Sequence, residues 1–373
     1  MDRIYLNNAA GAYPLAVGVA ETVAHTMREF PRISGRDASS VNDPIKKCRE
    51  SVAGMLKVSA SQTALVPNAT YALNAVFYGF GLRPGDVVIT SVMEHNSVLR
   101  PLARMEDRYG VNAFFIPIDE NLRLDEFAFN KMLTTKPRIV ALTHASNVTG
   151  RINQVRKIFA KAKNAGAVTL LDASQSVGRV PVIPEELFAD VVVFSGYKGL
   201  RGPPGTGAVY VAPRVNLEPV IVGGTGAKSD SRHHPNEMPT LFEAGVPNSP
   251  AFAGLDTAVW QYVEKSEEIV LKERKITEKL ISGLKSIPSV TLLDEDPSCR
   301  IPIASFTVNG MDPETAGYAL SESFGIECRS GLHCAPLIHK ALGLKGSVRL
   351  SPSYMNTDEE IDYAIDAVRR LAK

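Results

Sequence analysis

Val191-Val192-Val193-Phe194-Ser195-Gly196-Tyr197-Lys198 runs straight into a glycine-rich stretch, Gly199 to Gly207. The run is short, β-branched and apolar, and glycines bound it, so it reads as a strand covered on both faces. Ligands of open α/β sheets bind beyond the carboxyl ends of such strands, which is where Lys198 stands. Apolar walls disfavour an ammonium ion and leave an amine able to attack an aldehyde. Taken alone, Lys198 reads equally well as a surface lysine in a turn.

A second apolar run, Ala167 to Leu171, ends in Asp172 and continues Ala173-Ser174-Gln175-Ser176. A carboxylate at such a strand end suits the pyridine nitrogen of pyridoxal phosphate (PLP), whose aldehyde would take Lys198 as a Schiff base. The acid keeps that nitrogen protonated, so the ring can accept electrons when a bond at a substrate Cα breaks. Gln175, and Asn147 from a neighbouring strand end, can donate to the ring hydroxyl oxygen. The other reading of Asp172 is a helix N-cap, a common use of acids at strand-to-helix turns. The combination of Asp172-x-x-Gln175 with Ser195-x-x-Lys198, 26 positions apart, is more specific than either half.

Strand-like runs at Val87 to Val92, Ala113 to Ile118, Ile139 to Thr143, Val168 to Asp172, Val191 to Ser195 and Ala208 to Ala212 alternate with helical stretches. Val98 to Tyr109 and Ile152 to Asn164 are two of these. The alternation predicts an α/β fold with a large, doubly wound, mainly parallel sheet. A charged helix is expected from about Leu255 to Leu284. Segments Ile301 to Val308, Met311 to Phe324 and Asp358 to Leu371 then suggest a small C-terminal α/β domain. With 373 residues the chain exceeds what one core usually organises. The expected division is 15–254 for the large domain and 255–373 for the small one. Gly223 to about Pro239, rich in Gly, Ser and His, reads as a mobile loop.

The net charge is only +1, without a long basic run, which gives no electrostatic reason to expect nucleic acid or an anionic membrane as partner. No apolar stretch approaches the length of a membrane span, and a cytoplasmic enzyme acting on small molecules is the expectation. Four cysteines, Cys48, Cys299, Cys328 and Cys334, form no C-x-x-C pair and are too sparse for a disulfide scaffold. No metal site is expected from Cys328, His333, Cys334 and His339, which lack a recognised ligand spacing.

Asn68-Ala69-Thr70 reads as a loop opening a helix, whose free N–H groups and dipole favour a phosphate. Arg349 offers a planar fork for an α-carboxylate. Cys334 lies 15 residues before it, between Gly331 and Pro336. Reactivity there requires the thiolate, which Arg329, His333 or a helix starting near Pro336 would favour.

These motifs resemble the class V aminotransferase group of fold-type I PLP enzymes, and within it the shorter-loop cysteine desulfurases, which are similar to selenocysteine lyases. The resemblance runs from Tyr5-Leu6-Asn7-Asn8-Ala9-Ala10 through Met93-Glu94-His95-Asn96 and Phe242 to Asn248, to Cys328-Arg329-Ser330-Gly331-Leu332-His333-Cys334-Ala335 and Ser347 to Leu350. It implies catalysis by Lys198, Cys334 and His95, the last stacked on the cofactor ring and able to shuttle protons at neutral pH. Cofactor binding would fall to Ala69, Thr70, His95, Asn147, Asp172, Gln175, Ser195, Tyr197 and Lys198, and substrate binding to Arg349, Asn147 and Ala10. It further implies that residues 1–14 pack on the small domain and that the chain is a homodimer. L-Cysteine, or L-selenocysteine, would be the substrate, and a persulfide on Cys334 would pass its sulfur to an acceptor protein for iron–sulfur cluster assembly. Three positions depart from the family pattern: Ala69 replaces a hydroxyl residue, Tyr197 the histidine before the lysine, and Val246 a threonine that reaches the partner's phosphate. Two alternatives stay open: another class V reaction such as transamination or epimerisation, and a silent sulfur-relay scaffold.

Overall fold

The computed structural model describes residues 3–33 and 43–373. The first part contains strands β1 (Ile4–Tyr5), β2 (Thr63–Val66), β3 (Val87–Ser91), β4 (Asn112–Ile116), β5 (Ile139–Thr143), β6 (Val168–Asp172), β7 (Val191–Ser195) and β8 (Gly207–Val211). Its helices are α1 (Val19–Ile33), α2 (Pro44–Leu56), α3 (Ala69–Gly79), α4 (Asn96–Tyr109), α5 (Glu126–Leu133), α6 (Val155–Asn164) and α7 (Pro184–Leu187). Then follow α8 (Ser249–Lys285), β9 (Val290–Leu292), β10 (Ala304–Val308), α9 (Pro313–Phe324), β11 (Ile326–Glu327), β12 (Arg329–Gly331), α10 (Pro336–Ala341), β13 (Ser347–Leu350) and α11 (Asp358–Leu371).

Seven strands form one sheet in the order β2-β8-β7-β6-β5-β3-β4. From β7 to β4 every pairing is parallel, while β8 runs antiparallel to β7 and β2. The sheet is therefore mainly parallel, as the alternation predicts. Along β7, Val191 and Val193 pack into one core and Val192 and Phe194 into another. Two covered faces account for the unbroken apolar run. Thr143 pairs with Asp172, and Asp172 with Val193, so the carboxyl ends of β5, β6 and β7 converge.

The second sheet, β12-β13-β10-β9, is antiparallel throughout. It covers a third core that includes Phe306, Leu320, Val348 and Ile361. Strand β1 pairs in parallel with β11, and Leu6 joins this C-terminal core. One helix serves two cores: in α8, Phe252, Leu255 and Val259 pack with the large sheet, and Ile276, Leu280 and Leu284 with the small one. Lys265, at φ −116° and ψ 15°, breaks helical geometry between them.

Some boundaries differ from those expected. The helix read from Ile152 starts at Val155, because Arg151 and Ile152 are taken up in bridges to Arg300 and Ala145. The long helix begins at Ser249, where Asn248 caps it by accepting from the Ala251 amide at 3.2 Å. Among the described residues no helix is long and apolar enough to cross a membrane.

Candidate active site

Beyond the carboxyl ends of β3, β5, β6 and β7 lies a cavity lined by Ala10, Ala69, Thr70, His95, Asn147, Asp172, Gln175, Ser195, Tyr197, Lys198 and Arg349. Every residue assigned to the site from the sequence is there except Cys334. That residue lines an adjoining cleft with Asn74, Tyr78, Arg100 and Arg104, and the two spaces share Thr70, His95 and Ser97.

Lys198 follows β7 by three residues, and its surroundings largely exclude water. Burial pushes its pKa down to about 8, with Asp172 opposing the fall and Arg349 adding to it. The amine is therefore available near neutrality. Asp172 ends β6 and accepts from the Ser174 amide at 3.0 Å and the Ser174 hydroxyl at 2.5 Å, both on Oδ1. It caps a turn rather than a helix and still lines the cavity. The turn continues through Gly178, at φ 83°, where a Cβ would collide with the Gly199 backbone of the lysine loop.

Helix α3 directs its N-terminus at the same cavity. Asn68 is its cap, accepting from the Tyr71 amide at 2.9 Å, so Thr70 is not needed in that role. Ser195 Oγ accepts from the Ala69 amide at 3.0 Å. Gly207 permits this approach: a Cβ there would lie 2.5 Å from the Phe194 carbonyl oxygen and 3.1 Å from Asn68 Cα.

His95 caps α4. Its Nδ1 accepts from the Ser97 amide at 3.0 Å, which requires a bare Nδ1 and leaves the ring proton on Nε2. Ser97 Oγ lies 2.8 Å from that Nδ1 and 2.8 Å from Thr70 Oγ1, so the hydroxyls run in one direction, Thr70 to Ser97 to His95. Burial, then the positive charge of Lys198, pushes His95 down to about 4. This corrects the expectation of a histidine titrating near neutrality: the imidazole is held neutral, with a defined donor.

Gln175 is held at both ends of its amide. Its Nε2 donates to the Ala9 carbonyl at 2.9 Å, and its Oε1 accepts from Arg179 at 2.9 Å. Asn147 Nδ2 donates to the His333 carbonyl at 2.7 Å. Each amide keeps a second N–H.

Arg349 is fully buried on β13. It donates to the Asn147 carbonyl at 2.8 Å and to Asn7 Oδ1 at 3.3 Å. Among the described residues its Nε has no partner and no carboxylate pairs with it. Burial, then Arg329 and Arg179, pushes its pKa down to about 9. A guanidinium so placed calls for an anionic ligand. Arg329 also lines the cavity and donates from Nη2 to Cys334 Sγ at 3.0 Å. Cys334 itself has a φ of 59°, in the left-handed region.

Residues 4–364 match the family described as Aminotransferase class-V. This chain belongs to that family. It is 33% identical over 384 residues to a probable cysteine desulfurase of Methanothermobacter thermautotrophicus, covering all of this chain and 95% of that protein. A cysteine desulfurase of Pectobacterium atrosepticum is 30% identical, with 98% and 92% covered. Among solved structures, the apo cysteine desulfurase of Thermococcus onnurineus aligns at a TM-score of 0.92 and 28% identity, over 99% of this chain and 94% of that one. Of the three departures from the class V pattern, Ala69 and Tyr197 line the cavity, whereas Val246 is 71% exposed. Its neighbour Gly245 donates to the Gly224 carbonyl at 2.8 Å, tying the Val246 segment to the start of the loop that opens at Gly223.

Sequence reasoning missed Ser97, Thr143 and Ser174 as cavity residues. Only Ser97 had a local signal, two residues after His95 at a helix start.

Proposed function

We infer that this chain is a PLP-dependent cysteine desulfurase, which converts L-cysteine to L-alanine and leaves the sulfur as a persulfide on Cys334. One observation carries the reading: a thiol paired with Arg329 stands in a cleft that opens on the cavity where Lys198 and Asp172 meet. The donor set fits the cofactor. Lys198 would answer its aldehyde and Asp172 its ring nitrogen, and the backbone N–H groups of the α3 N-terminus with the Ser195 hydroxyl would answer its phosphate. His95 would lie against the ring and Tyr197 beside the phosphate, and the second amide protons of Gln175 and Asn147 would remain for the ring hydroxyl. When bound, PLP supplies the electron sink that lets bonds at the substrate Cα and Cβ break.

The protein's own groups do the rest. Arg349 takes the α-carboxylate in two parallel hydrogen bonds and so fixes the Cα bonds, beside Ala10 and Asn147. Lys198 Nζ, with a pKa near 8, takes and returns the Cα proton close to the working pH. Cys334 Sγ, as thiolate, forms an S–S bond to the substrate sulfur as the Cβ–S bond breaks. The electron pair stays with carbon, which is protonated to the alanine methyl. Transamination and epimerisation need no such thiol.

The same reading makes L-selenocysteine a second substrate, and a cytoplasmic acceptor protein serving iron–sulfur cluster assembly the destination of the sulfur. It divides the chain into 15–254 and 255–373, with residues 1–14 on the smaller part and α8 spanning the division. Incubation with L-cysteine and dithiothreitol tests the activity. Sulfide and alanine should appear in equal amounts, and mass spectrometry after one turnover without the reductant should place one extra sulfur on Cys334. Absence of stoichiometric alanine would overturn the reading.

A further inference from the structure

His333 and Ala335 flank Cys334, and both are tied to one serine of β13. His333 Nε2 lies 3.0 Å from Ser347 Oγ, and His339 Nε2 lies 3.1 Å from the same oxygen. His339 Nδ1 is 3.0 Å from the Ala335 carbonyl oxygen. All three side chains are at most 2% exposed.

Proton counting fixes the direction of this chain. A carbonyl only accepts, so His339 carries its proton on Nδ1, and a neutral ring then accepts at Nε2. Ser347 must spend its single proton on that nitrogen. Its oxygen can only accept from His333, which therefore carries its proton on Nε2 and leaves Nδ1 bare. His333 Nδ1 itself has no partner among the described residues. Burial, then Arg349, pushes His333 down to about 2, and burial lowers His339. Both rings stay neutral.

We propose that His333, Ser347 and His339 are positioning residues, a one-directional hydrogen-bonded clasp that closes around Cys334 and holds its thiol for sulfur transfer. His333 and Cys334 have φ values of 50° and 59°, an unfavourable pair for non-glycine residues that needs such a restraint. The clasp also fixes the thiol relative to the carboxylate site, because Ser347 and Arg349 sit two residues apart on one strand, paired with Gly331 and Arg329. Two further bonds hold the loop's backbone: Asn147 donates to the His333 carbonyl, and the Asn96 amide to the Cys334 carbonyl at 2.7 Å. The sulfur-transfer role rests on the desulfurase reading, whereas the clasp itself does not.

Two measurements separate them. In cofactor-free protein carrying ¹⁵N-histidine, long-range ¹H–¹⁵N spectra should show His333 protonated at Nε2 and His339 at Nδ1. The reverse tautomers, or either ring charging between pH 5 and 8, would overturn the clasp whatever the enzyme's reaction. In the holoenzyme, Ser347→Ala removes the middle link. Losing two buried hydrogen bonds should lower kcat for sulfide release on the order of tenfold. KM for L-cysteine should not change, since Arg349 is untouched. A wild-type kcat in this variant, or an equal rise in KM, would refute the positioning role, and an inactive wild type would refute the desulfurase reading instead.

Discussion

Glu94 is wholly buried between the ends of β3 and β5, where Ser91 Oγ donates to its Oε1 at 2.5 Å and the Thr143 amide at 3.1 Å. Burial pushes its pKa up to about 8 against those two hydrogen bonds, with Asp172 adding to the rise. The unfolded carboxyl gives up its proton near 4.5, whereas the folded one keeps it until about 8. Ionisation therefore stabilises only the unfolded chain across that window, and native stability falls as pH rises from about 4.5 to 8. At about 1.4 kcal/mol per pKa unit, the contribution is on the order of a few kcal/mol. Glu94→Gln should remove this component. Urea unfolding at pH 5 and pH 8 should show a smaller loss for the variant than for the wild type, the remainder coming from groups such as buried Glu273, raised to about 7. An equally steep loss would mean that Glu94 is ionised in the native protein. Lys198→Ala should reduce turnover to background and leave no cofactor fixed to the chain by borohydride. Retained desulfurase activity would refute the assignment of Lys198. At this scale Lys198 and Asp172 were legible because each has a rare chemistry at a strand end, and Arg349 only through the family resemblance. Ser97 and Glu94 were not, since a small hydroxyl or an acid beside a histidine carries no pattern until the fold closes around it.

At the scale of elements, β5, β6, β7 and α11 were legible to the residue, because continuous apolar runs and a capped amphipathic helix have clear edges. Strand β2 was missed. Four residues paired antiparallel at the sheet's end are too few to show a period. The clasp around Cys334 was equally hidden, because it joins residues from α10 and β13 whose distance in sequence says nothing of their contact. Helix α3 gives this scale its test. Replacing its cap, Asn68→Ala, removes the oxygen that accepts from Tyr71 and should cost about 1 kcal/mol. If the phosphate sits at this N-terminus, loosening the first turn should also weaken PLP binding. A thermal melt of the cofactor-free protein checks the first effect and a PLP titration the second. A lower melting temperature with unchanged PLP affinity would move the phosphate away from α3.

For the whole molecule, the class V resemblance implies a homodimer, and the surface offers a place to test it. Val222 and Val246 are 65% and 71% exposed, and Val220 and Ile221 lie beside the former. Ile221 and Val246 line one large cleft with Tyr71, Phe242 and Phe252, directly behind the α3 turn that faces the cavity. Exposed apolar residues gathered on one side mark an interaction surface, and a closed two-fold dimer is the commonest way such a surface is covered. The resemblance implies that the segment around Val246 reaches the phosphate end of a partner's site, and on that expectation assembly and cofactor retention should be coupled. Light scattering of the wild type should report twice the chain mass. Val222→Asp combined with Val246→Asp places two charges on this surface and should give a monomer that loses PLP on gel filtration. The single change Val246→Thr should instead leave the dimer intact and raise PLP retention by adding a hydroxyl. A monomeric wild type would contradict the assembly, whereas a dimeric double-aspartate variant with full PLP retention would place the subunit contact on another face.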